Sequence, residues 1–390
     1  MSRRHNWGVP ALVALDLPGG EGFVEALQDV WEAGDAAAPV DRRLAPPARE
    51  RLLNALAPSY VVTPAGRRER PGGVPVRDGD ALVVASSGTT GEPKGVVLTH
   101  QAVAASALAT TERLQVDPDR HHWLACLPLN HIGGLSVVTR ALLSGTPLTV
   151  LDGFAPVEVT EAGGPNVLVS LVPTALARVR AADFHKVLLG GSAPPQGLPG
   201  NVVTTYGMTE TGSGVVYDGV PLAGVEVAIS AAFEVLVRGP MLLRSYRDGI
   251  VPLDGDGWFA TGDAGHFGHD GRLEIDGRLS EMVVTGGENV WPAAVERILR
   301  QHPGVAEVAV SSRPDREWGE RVVACVVPVT PADPPELGEL RALVSAQLAA
   351  FAAPKELVLL AELPKTSIGK LRREDLREQL RGQLGGRSAG

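Results

Sequence analysis

The most informative residues in the chain form one short loop, whose backbone and side chains could bind an anion. A predicted strand, Ala81–Ala85, leads into the loop, and a second predicted strand, Val96–His100, follows it. Glycines let backbone N–H groups turn toward an anion, while hydroxyl and lysine side chains add donors and positive charge. The composition suits a polyphosphate site, although a Ser/Gly/Thr loop taken alone is more often a flexible turn. The loop consists of Ser86, Ser87, Gly88, Thr89, Thr90, Gly91, Glu92, Pro93, Lys94 and Gly95.

The segments around this loop predict an α/β architecture. From Ala81 to about Gly191, short apolar strands alternate with helical stretches, for example NVLVSLV followed by PTALARVRAA. Such alternation is typical of layered α/β folds with largely parallel strands. The loop lies between two strands, and no Gly-Lys-Ser/Thr opens a following helix, so the loop is not a Walker A motif.

The second half of the chain has a different pattern of apolar and polar residues. After about Val215, strands with alternating apolar and polar residues are separated by Gly-Asp and Asp-Gly turns, which is typical of antiparallel hairpins. From Glu281 onward the pattern is compact α+β, with a predicted helix over Trp291–Gln301. Pro331–Pro335 is interpreted as a loop within this part. The first 80 residues show helix-like periodicity in places and are otherwise uninformative about chemistry.

Composition and charge exclude several classes of protein. The 390-residue chain is 44% hydrophobic and 21% charged, as in soluble globular proteins, and its length allows two or three domains. The formal net charge of −9 argues against a broad surface for nucleic acid or an anionic membrane. Cys126 and Cys325 lie in apolar runs and are predicted to be buried thiols. No stretch has the character of a signal peptide or a membrane span, so the cytoplasm is the expected compartment.

Four further motifs follow the phosphate loop along the chain. The first is Tyr206–Thr211 and the second is Trp258–Asp263. The third consists of Asp276–Arg278 followed by Met282–Pro292, and the fourth is Leu363–Lys370. Together with the loop, and in this order, they resemble the motifs of the adenylate-forming superfamily. That superfamily includes acyl- and aryl-CoA ligases, peptide-synthetase adenylation domains and beetle luciferases.

The resemblance implies an α/β fold and a domain organisation. A large N-terminal AMP-binding domain of layered α/β sheets, with a β-rich subdomain, would cover residues 1–277 and include a shortened N-terminal subdomain over residues 1–80. Residues 278–281 would form a hinge, and residues 282–390 a small, mobile α+β lid domain. Ser280 stands where the superfamily commonly has its pivot aspartate, and serine also tolerates the required change of backbone conformation.

The same resemblance assigns ATP and AMP binding to a set of residues. An aromatic ring at Tyr206 could stack on adenine, the Thr209 hydroxyl could reach the α-phosphate, and Glu210 could hold Mg²⁺. Asp263 would accept hydrogen bonds from the ribose hydroxyls. Without the resemblance, a helix-capping glutamate, a turn aspartate and a tight Gly-Gly turn are alternative interpretations. The nucleotide set is Ser86, Ser87, Gly88, Thr89, Thr90, Gly91, Lys94, Gly190, Gly191, Ser192, Ala193, Tyr206, Gly207, Met208, Thr209, Asp263 and Arg278.

Lys370 is the residue that the resemblance favours for catalysis of acid activation. A carboxylate that attacks the α-phosphorus builds negative charge on the phosphoryl oxygens, and an ammonium group stabilises that charge. Lys365 lies five positions earlier, and spacing alone does not choose between the two lysines. The glycine directly before Lys370 matches the superfamily pattern. After rotation at the hinge, Gly286 and Gly287 are expected to lie near the pantetheine arm of coenzyme A, since glycine permits close backbone approach.

The acid substrate is predicted from the segment that begins at His131. In the superfamily a histidine or aromatic residue at this point lines the acyl pocket and contacts the carboxylate. His131 is therefore a catalytic candidate, together with Lys370 and with Thr209, whose hydroxyl could reach the α-phosphate. The run His131–Leu151, which includes Gly134, resembles o-succinylbenzoate–CoA ligases of menaquinone synthesis. Arg140 is therefore a candidate for binding the second carboxylate of the substrate. An arginine on an exposed helix face is the alternative interpretation.

The sequence thus predicts a ligase that activates 2-succinylbenzoate with ATP and transfers the acyl group to CoA. Another aryl- or fatty-acid–CoA ligase would share the ATP residues and differ only in the acid pocket. A stand-alone adenylating enzyme would load a carrier protein, and no carrier-like domain follows before Gly390. A non-catalytic nucleotide-binding protein would be expected to lack Lys370 or Glu210. The expected partners are the acid, ATP and CoA, without nucleic acid, and a homodimer is compatible with the sequence.

Overall fold

The computed structural model describes residues 9–87, 93–365 and 371–385. For Ser87 it describes the backbone alone. The predicted site residues that lie outside the described ranges are Gly88, Thr89, Thr90, Gly91 and Lys370.

The chain divides into two compact units. Unit 1 consists of residues 1–228 and 236–260, and unit 2 of residues 229–235 and 261–390. The predicted domains, with their hinge at residues 278–281, stay a prediction. No helix in the described ranges combines the length and the apolar character that crossing a membrane requires.

The first sheet of unit 1 carries the phosphate loop. Strand β1 is entirely buried, and a continuous apolar run of this kind is typical of a parallel strand that is covered on both faces. The strands, numbered in chain order, are β1 (Leu12–Leu15), β2 (Ala36–Pro39), β3 (Tyr60–Thr63), β4 (Gly66–Glu69), β5 (Asp80–Ser87), β6 (Pro93–Thr99) and β16 (Ser245–Tyr246). Their order is β16-β6-β5-β2-β1-β3-β4. Strands β1 to β4 therefore place residues 12–69 in a sheet that their sequence did not reveal.

The phosphate loop connects an antiparallel hairpin within this sheet. Strands β5 and β6 pair so that Ser86 lies opposite Lys94. Helices α1 (Glu21–Glu32) and α2 (Pro46–Leu56) belong to the same part of the chain. In α1, Phe23, Leu27 and Val30 recur at helical spacing and are buried, which explains why this segment forms an amphipathic helix.

The second sheet of unit 1 has the parallel strands that the strand–helix alternation predicts. Strands β7 to β11 pair in parallel, and β12 and β13 add an antiparallel edge. The strands are β7 (His122–Ala125), β8 (Leu148–Val150), β9 (Gly164–Leu171), β10 (Phe184–Leu189), β11 (Val202–Met208), β12 (Ser213–Tyr217) and β13 (Val220–Pro221), in the order β13-β12-β11-β10-β9-β7-β8. The helices are α3 (His100–Leu114), α4 (Ile132–Ser144), α5 (Pro156–Glu161) and α6 (Pro173–Leu176).

Two smaller sheets complete the described fold. The first has the order β14-β15-β17-β18, with β14 (Glu226–Ile229), β15 (Glu234–Arg238), β17 (Phe259–Phe267) and β18 (Leu273–Arg278). The second contains β19 (Val283–Thr285), β20 (Glu288–Val290), β21 (Val305–Asp315), β22 (Gly319–Pro328) and β23 (Glu356–Leu359). Helices α7 (Pro292–Leu299), α8 (Leu337–Ser345) and α9 (Arg373–Gly385) belong to unit 2.

The predicted helix over Trp291–Gln301 and the predicted burial of both cysteines are confirmed. The helix is α7, whose buried face includes Val295, Ile298 and Leu299. Cys126 and Cys325 are also buried, and burial raises the pKa of each thiol to about 12. Neither thiol is therefore ionised at neutral pH, which agrees with a packing role.

Candidate active site

The candidate residues of unit 1 gather at the carboxyl edge of the second sheet. Strands β10 and β11 are parallel neighbours, so Gly190–Ala193, which follow β10, lie beside Tyr206–Met208, which end β11. Strand β7 ends at the same edge and leads into the segment that reaches His131. Ligands of open α/β sheets bind in the crevice outside the carboxyl ends of the strands. The topology therefore brings the predicted adenine and acid residues to one edge.

Three of the predicted glycines are required by packing at this edge. A Cβ atom on Gly190 would lie 2.5 Å from Oγ1 of Thr205, and one on Gly207 would lie 2.1 Å from the carbonyl oxygen of Ser213. A Cβ atom on Gly134 would lie 2.4 Å from the carbonyl oxygen of Leu127. Larger residues at these positions would push the backbone segments apart, so these glycines set the shape of the edge.

Glu210 is oriented by a tyrosine that the sequence analysis did not select. It lies in a short 3₁₀ turn, Thr209–Thr211, and its Oε1 accepts a hydrogen bond of 3.1 Å from the hydroxyl of Tyr246. Tyr246 belongs to β16, which pairs with β6, and Nζ of Lys94 lies 5.4 Å from the centre of the Tyr246 ring. Burial, followed by the charge of Glu210, raises the pKa of Tyr246, so the tyrosine stays a hydrogen-bond donor. Tyr246 thus connects the predicted metal ligand with the phosphate-loop lysine.

The donor set around Glu210 fits a magnesium ion that is bound mainly by phosphate oxygens. Mg²⁺ commonly takes one or two protein carboxylates and completes its shell with substrate phosphates and water. Glu210 offers one half-buried carboxylate with a neutral donor beside it. Across the described ranges, no three His, Cys, Asp or Glu side chains converge into an all-protein metal site.

Arg140 is buried and partly unsatisfied. Its relative exposure is 2%, so the alternative of an exposed helix face is wrong. Nη2 donates a 3.0 Å hydrogen bond to Oγ of Ser213, and the guanidinium carbon lies 4.9 Å from the centre of the Trp123 ring. Nε and Nη1 have no hydrogen-bond partner among the described residues. Burial lowers the pKa of Arg140, which is the expected effect on a cation without a carboxylate partner.

His131 stands at the other end of the same helix. It is the exposed N-cap residue of α4, and Arg140 lies nine positions further along, about 13 Å of helix rise. Asp41, from the N-terminal part of the chain, lies close enough to His131 for the two charges to interact. Burial acts to raise the pKa of Asp41, but hydrogen bonds and charge from Arg43, together with the charge of His131, lower that pKa overall.

The nucleotide candidates of unit 2 form a cross-strand pair. Asp263 on β17 lies opposite Arg278 on β18. Nε of Arg278 lies 2.9 Å from Oδ1 of Asp263, and its Nη1 donates to the carbonyl of Thr261 at 3.1 Å. The Asp263 side chain is largely buried, whereas that of Arg278 is half exposed. The arginine therefore holds the aspartate in place.

The predicted CoA loop packs against a tryptophan. Gly286 and Gly287 form the turn between β19 and β20, with φ of +63° and +83°. The Gly286 N–H donates to the carbonyl of Trp318 at 2.8 Å, and a Cβ atom on Gly286 would lie 2.7 Å from the Trp318 ring. Nζ of Lys355 lies 3.4 Å from the centre of that ring. The contact of Trp318 with Gly286 follows from the pairing of β19 with the distant strand β22 and is not predictable from the sequence.

Of the two candidate lysines, Lys365 is the one that lies within the described residues. Nζ of Lys365 forms an ion pair with Glu307. Lys365 also pairs with Leu371 in an antiparallel bridge, and the Arg372 N–H donates to the carbonyl of Pro364 at 2.8 Å. The described residues on either side of residues 366–370 are therefore held together.

Comparison with known proteins identifies the family. Residues 74–246 match the family described as AMP-binding enzyme, and residues 294–370 match the AMP-binding enzyme C-terminal domain. The chain belongs to the AMP-binding enzyme family, and the adenylate-forming fold that the motifs implied is confirmed.

Two of the similar proteins are named as CoA ligases. The probable 2-succinylbenzoate–CoA ligase of Mycobacterium tuberculosis is 37% identical, over 86% of this chain and 95% of the relative. Indoleacetate–CoA ligase of Aromatoleum aromaticum is 35% identical, over 76% of this chain and 66% of the relative.

Solved structures of one bacterial protein are also similar. The o-succinylbenzoate CoA synthetase (MenE) of Bacillus subtilis, in complex with the acyl-adenylate intermediate OSB-AMP, superposes with a TM-score of 0.81 at 27% identity, covering 95% of this chain and 88% of that protein. Its complex with ATP and a magnesium ion superposes with a TM-score of 0.79 at 26% identity, covering 94% and 89%.

Proposed function

We propose that this chain is a ligase that activates 2-succinylbenzoate with ATP and then transfers the acyl group to coenzyme A. The observation that carries the choice of acid is the buried guanidinium of Arg140, which has two nitrogen atoms, Nε and Nη1, without a hydrogen-bond partner in the described part of the chain. Relatives with names of this activity cover most of the chain and support the same choice.

The unsatisfied guanidinium favours a substrate with a second carboxylate. A buried charge without a counterion is destabilising by several kcal/mol, and a carboxylate with good geometry offsets that penalty. Arginine presents its N–H groups in a fork that matches a carboxylate. The Nε–H points to the same side as Nη2, which is already bound to Ser213, so a carboxylate would accept from Nε or Nη1 singly, or form the fork by taking the place of the Ser213 hydroxyl. An acid with a single carboxylate would leave these donors unsatisfied.

In the proposed first step, the carboxylate oxygen of the acid attacks the α-phosphorus of ATP and pyrophosphate leaves. The phosphate loop would hold the leaving phosphates, with Lys94 adding positive charge at its end. Lys370 and the Thr209 hydroxyl would stabilise the charge that develops on the α-phosphoryl oxygens. Asp263 would bind the ribose hydroxyls, and Tyr206 would lie against adenine. A magnesium ion held through Glu210 would neutralise part of the phosphate charge when bound.

In the proposed second step, the thiol sulfur of CoA attacks the carbonyl carbon of the acyl-adenylate. The C–O bond to phosphate breaks, AMP leaves, and the thiol proton is released to solvent. The segment after the hinge at Ser280 would rotate between the two steps, so that Lys370 withdraws and the Gly286–Gly287 turn approaches the pantetheine arm.

A homodimer stays a prediction, which light scattering of the purified protein would test.

A panel of acids tests the choice of substrate. With Mg·ATP and CoA, we expect 2-succinylbenzoate to give pyrophosphate, AMP and a CoA thioester, and benzoate, indole-3-acetate and octanoate to give little pyrophosphate. The relative that acts on indoleacetate, by its name, supports an aryl-acid ligase as the second candidate function. If indole-3-acetate or benzoate reacts and 2-succinylbenzoate does not, the second candidate replaces the first.

Substitution of Gly286 by alanine tests the CoA loop. The new Cβ atom would meet the Trp318 ring at 2.7 Å, and a φ of +63° is strained for alanine by about 1–2 kcal/mol. We expect thioester formation from supplied acyl-adenylate to fall about tenfold, while adenylate formation changes less than about twofold. Gly271→Ala is the control, because Gly271 has a φ of +75° with no atom near its Cβ position. An equal loss of both steps in Gly286→Ala would argue against a role of this turn in the CoA step.

A further inference from the structure

The start of helix α9 is tied to the turn that contains Ser280. Nη2 of Arg377 donates a 3.1 Å hydrogen bond to the carbonyl oxygen of Ser280. Nε of Arg373, one helical turn earlier, lies 2.8 Å from Oε2 of Glu281. Residues four apart share one face of a helix, so a single face of α9 binds two consecutive residues of the turn.

Arg373 also anchors this contact in the core of unit 2. Its Nη1 lies 2.9 Å from Oε1 of Glu296 and donates to the carbonyl of Val310 at 3.1 Å. The side chain of Glu296 is 5% exposed, and its Oε1 accepts a second bond of 2.9 Å from the Val310 N–H. A buried carboxylate with these partners is held in one geometry, because loss of either partner would leave a buried charge unpaired. Arg373 is therefore fixed relative to β21.

The contacts single out the dihedral angles of Ser280. The Ser280 carbonyl belongs to the rigid peptide plane that follows its Cα atom, so the bond from Arg377 holds everything after that atom. On the other side, Arg278 is held to β17 by its bonds to Asp263 and Thr261. One backbone hydrogen bond, from the Met282 N–H to the Leu279 carbonyl at 3.2 Å, spans the turn. The backbone is thus anchored on both sides of Ser280, which is exposed. The φ and ψ angles of Ser280 are the dihedral angles that can change between these two anchored segments.

We propose that Arg373 and Arg377 are positioning residues that clamp the turn to α9, so that residues from the Ser280 carbonyl to α9 rotate as one body. Lys370 is joined covalently to Leu371, and two residues later the chain reaches Arg373. The clamp therefore links the pivot directly to the stretch of chain that carries the catalytic lysine. This inference rests on the proposed function, in which that segment rotates between the two steps.

Arg377→Ala tests the clamp by amide hydrogen exchange and by kinetics on the full chain. A hydrogen bond from a charged donor is worth roughly tenfold or more in a local opening equilibrium. We expect exchange at the Glu281 and Met282 amides to become about tenfold faster, while exchange in β21 and β22 stays unchanged. The overall kcat should fall about tenfold with each KM within about twofold, since no group that touches a substrate is removed. Arg377→Lys should restore part of the rate, because lysine keeps a charged donor.

Arg381→Ala is the matched control, since Arg381 is an exposed arginine one turn further along α9. It should leave both exchange and kcat unchanged. Glu281→Gln keeps the shape of the second contact and removes its charge, so it should show a smaller effect of the same kind. Exchange at Glu281 and Met282 that is the same in Arg377→Ala and Arg381→Ala overturns the clamp. If the unmodified chain forms no CoA thioester, the proposed function fails, and the exchange result still decides the clamp.

Discussion

Replacement of Lys370 by alanine is expected to lower the rate of acyl-adenylate formation by about a hundredfold to a thousandfold. The reason is the negative charge that accumulates on the α-phosphoryl oxygens as the carboxylate attacks and pyrophosphate leaves. Removal of one donor aimed at developing charge typically has an effect of this size. Pyrophosphate release with saturating 2-succinylbenzoate and Mg·ATP measures the step directly. The KM for each substrate should change much less than kcat.

The second half-reaction provides the internal control for this substitution. With chemically supplied acyl-adenylate, Lys370→Ala should form the CoA thioester at close to the rate of the unmodified chain, because the proposed rotation would withdraw the lysine in that step. Lys365→Ala is the matched variant. Its ammonium already pairs with Glu307, so we expect less than about a threefold effect on either step. Equal losses in both steps of Lys370→Ala would contradict the rotation, and a large loss in Lys365→Ala would reassign the catalytic lysine.

Replacement of Arg140 by leucine is expected to remove the preference for an acid with two carboxylates. Truncation of one partner of a buried charge pair is worth about 3 kcal/mol, which corresponds to about a hundredfold in kcat/KM for 2-succinylbenzoate. Leucine fills part of the same volume and leaves no unpaired charge beside Trp123 and Ser213. Stability should therefore be maintained or rise, because an uncompensated buried cation has been removed. A thermal melt measures this part of the prediction.

A substrate that lacks one carboxylate separates binding from general damage. 4-Oxo-4-phenylbutanoate retains the succinyl chain and lacks the carboxylate on the ring. The unmodified chain should prefer 2-succinylbenzoate strongly over this analogue, and Arg140→Leu should accept both at similar rates. Arg140→Lys keeps the charge but not the fork and should be intermediate. If Arg140→Leu still discriminates between the two acids, Arg140 does not bind the second carboxylate.

The sequence predicts the family and the parallel sheet well, because both depend on local patterns. The phosphate loop, the YGMTE segment and the lysine motif are each contiguous in the chain. The α7 helix and the two buried cysteines were also predicted, since periodicity and apolar neighbours are local signals. Contacts between distant residues were not predictable in this way. The burial of Arg140 depends on Ser213, which lies 73 positions away, and the orientation of Glu210 depends on Tyr246, 36 positions away.

The strands between residues 12 and 69 show that local patterns also limit the prediction of the fold. Strands β1 and β2 have four residues each, and each is recognisable only through its parallel partners. A run such as LVAL is too short to decide between strand and helix by periodicity. The contact between α9 and Ser280 spans 97 positions, so the sequence predicted the hinge and the lysine but not the link between them.

The pairing of Ser86 with Lys94 determines which changes of length this chain can accept. Opposite residues of an antiparallel pair project from the same face of the sheet, so the serine and the lysine share a face. Deletion of one residue within β6 would turn Lys94 to the other face, because side chains alternate along a strand. Insertion or deletion between residues 88 and 92 leaves the strand register unchanged. A change of length within β5 or β6 is therefore expected to disturb both the sheet and the loop, whereas a change between the strands is expected to disturb phosphate binding alone.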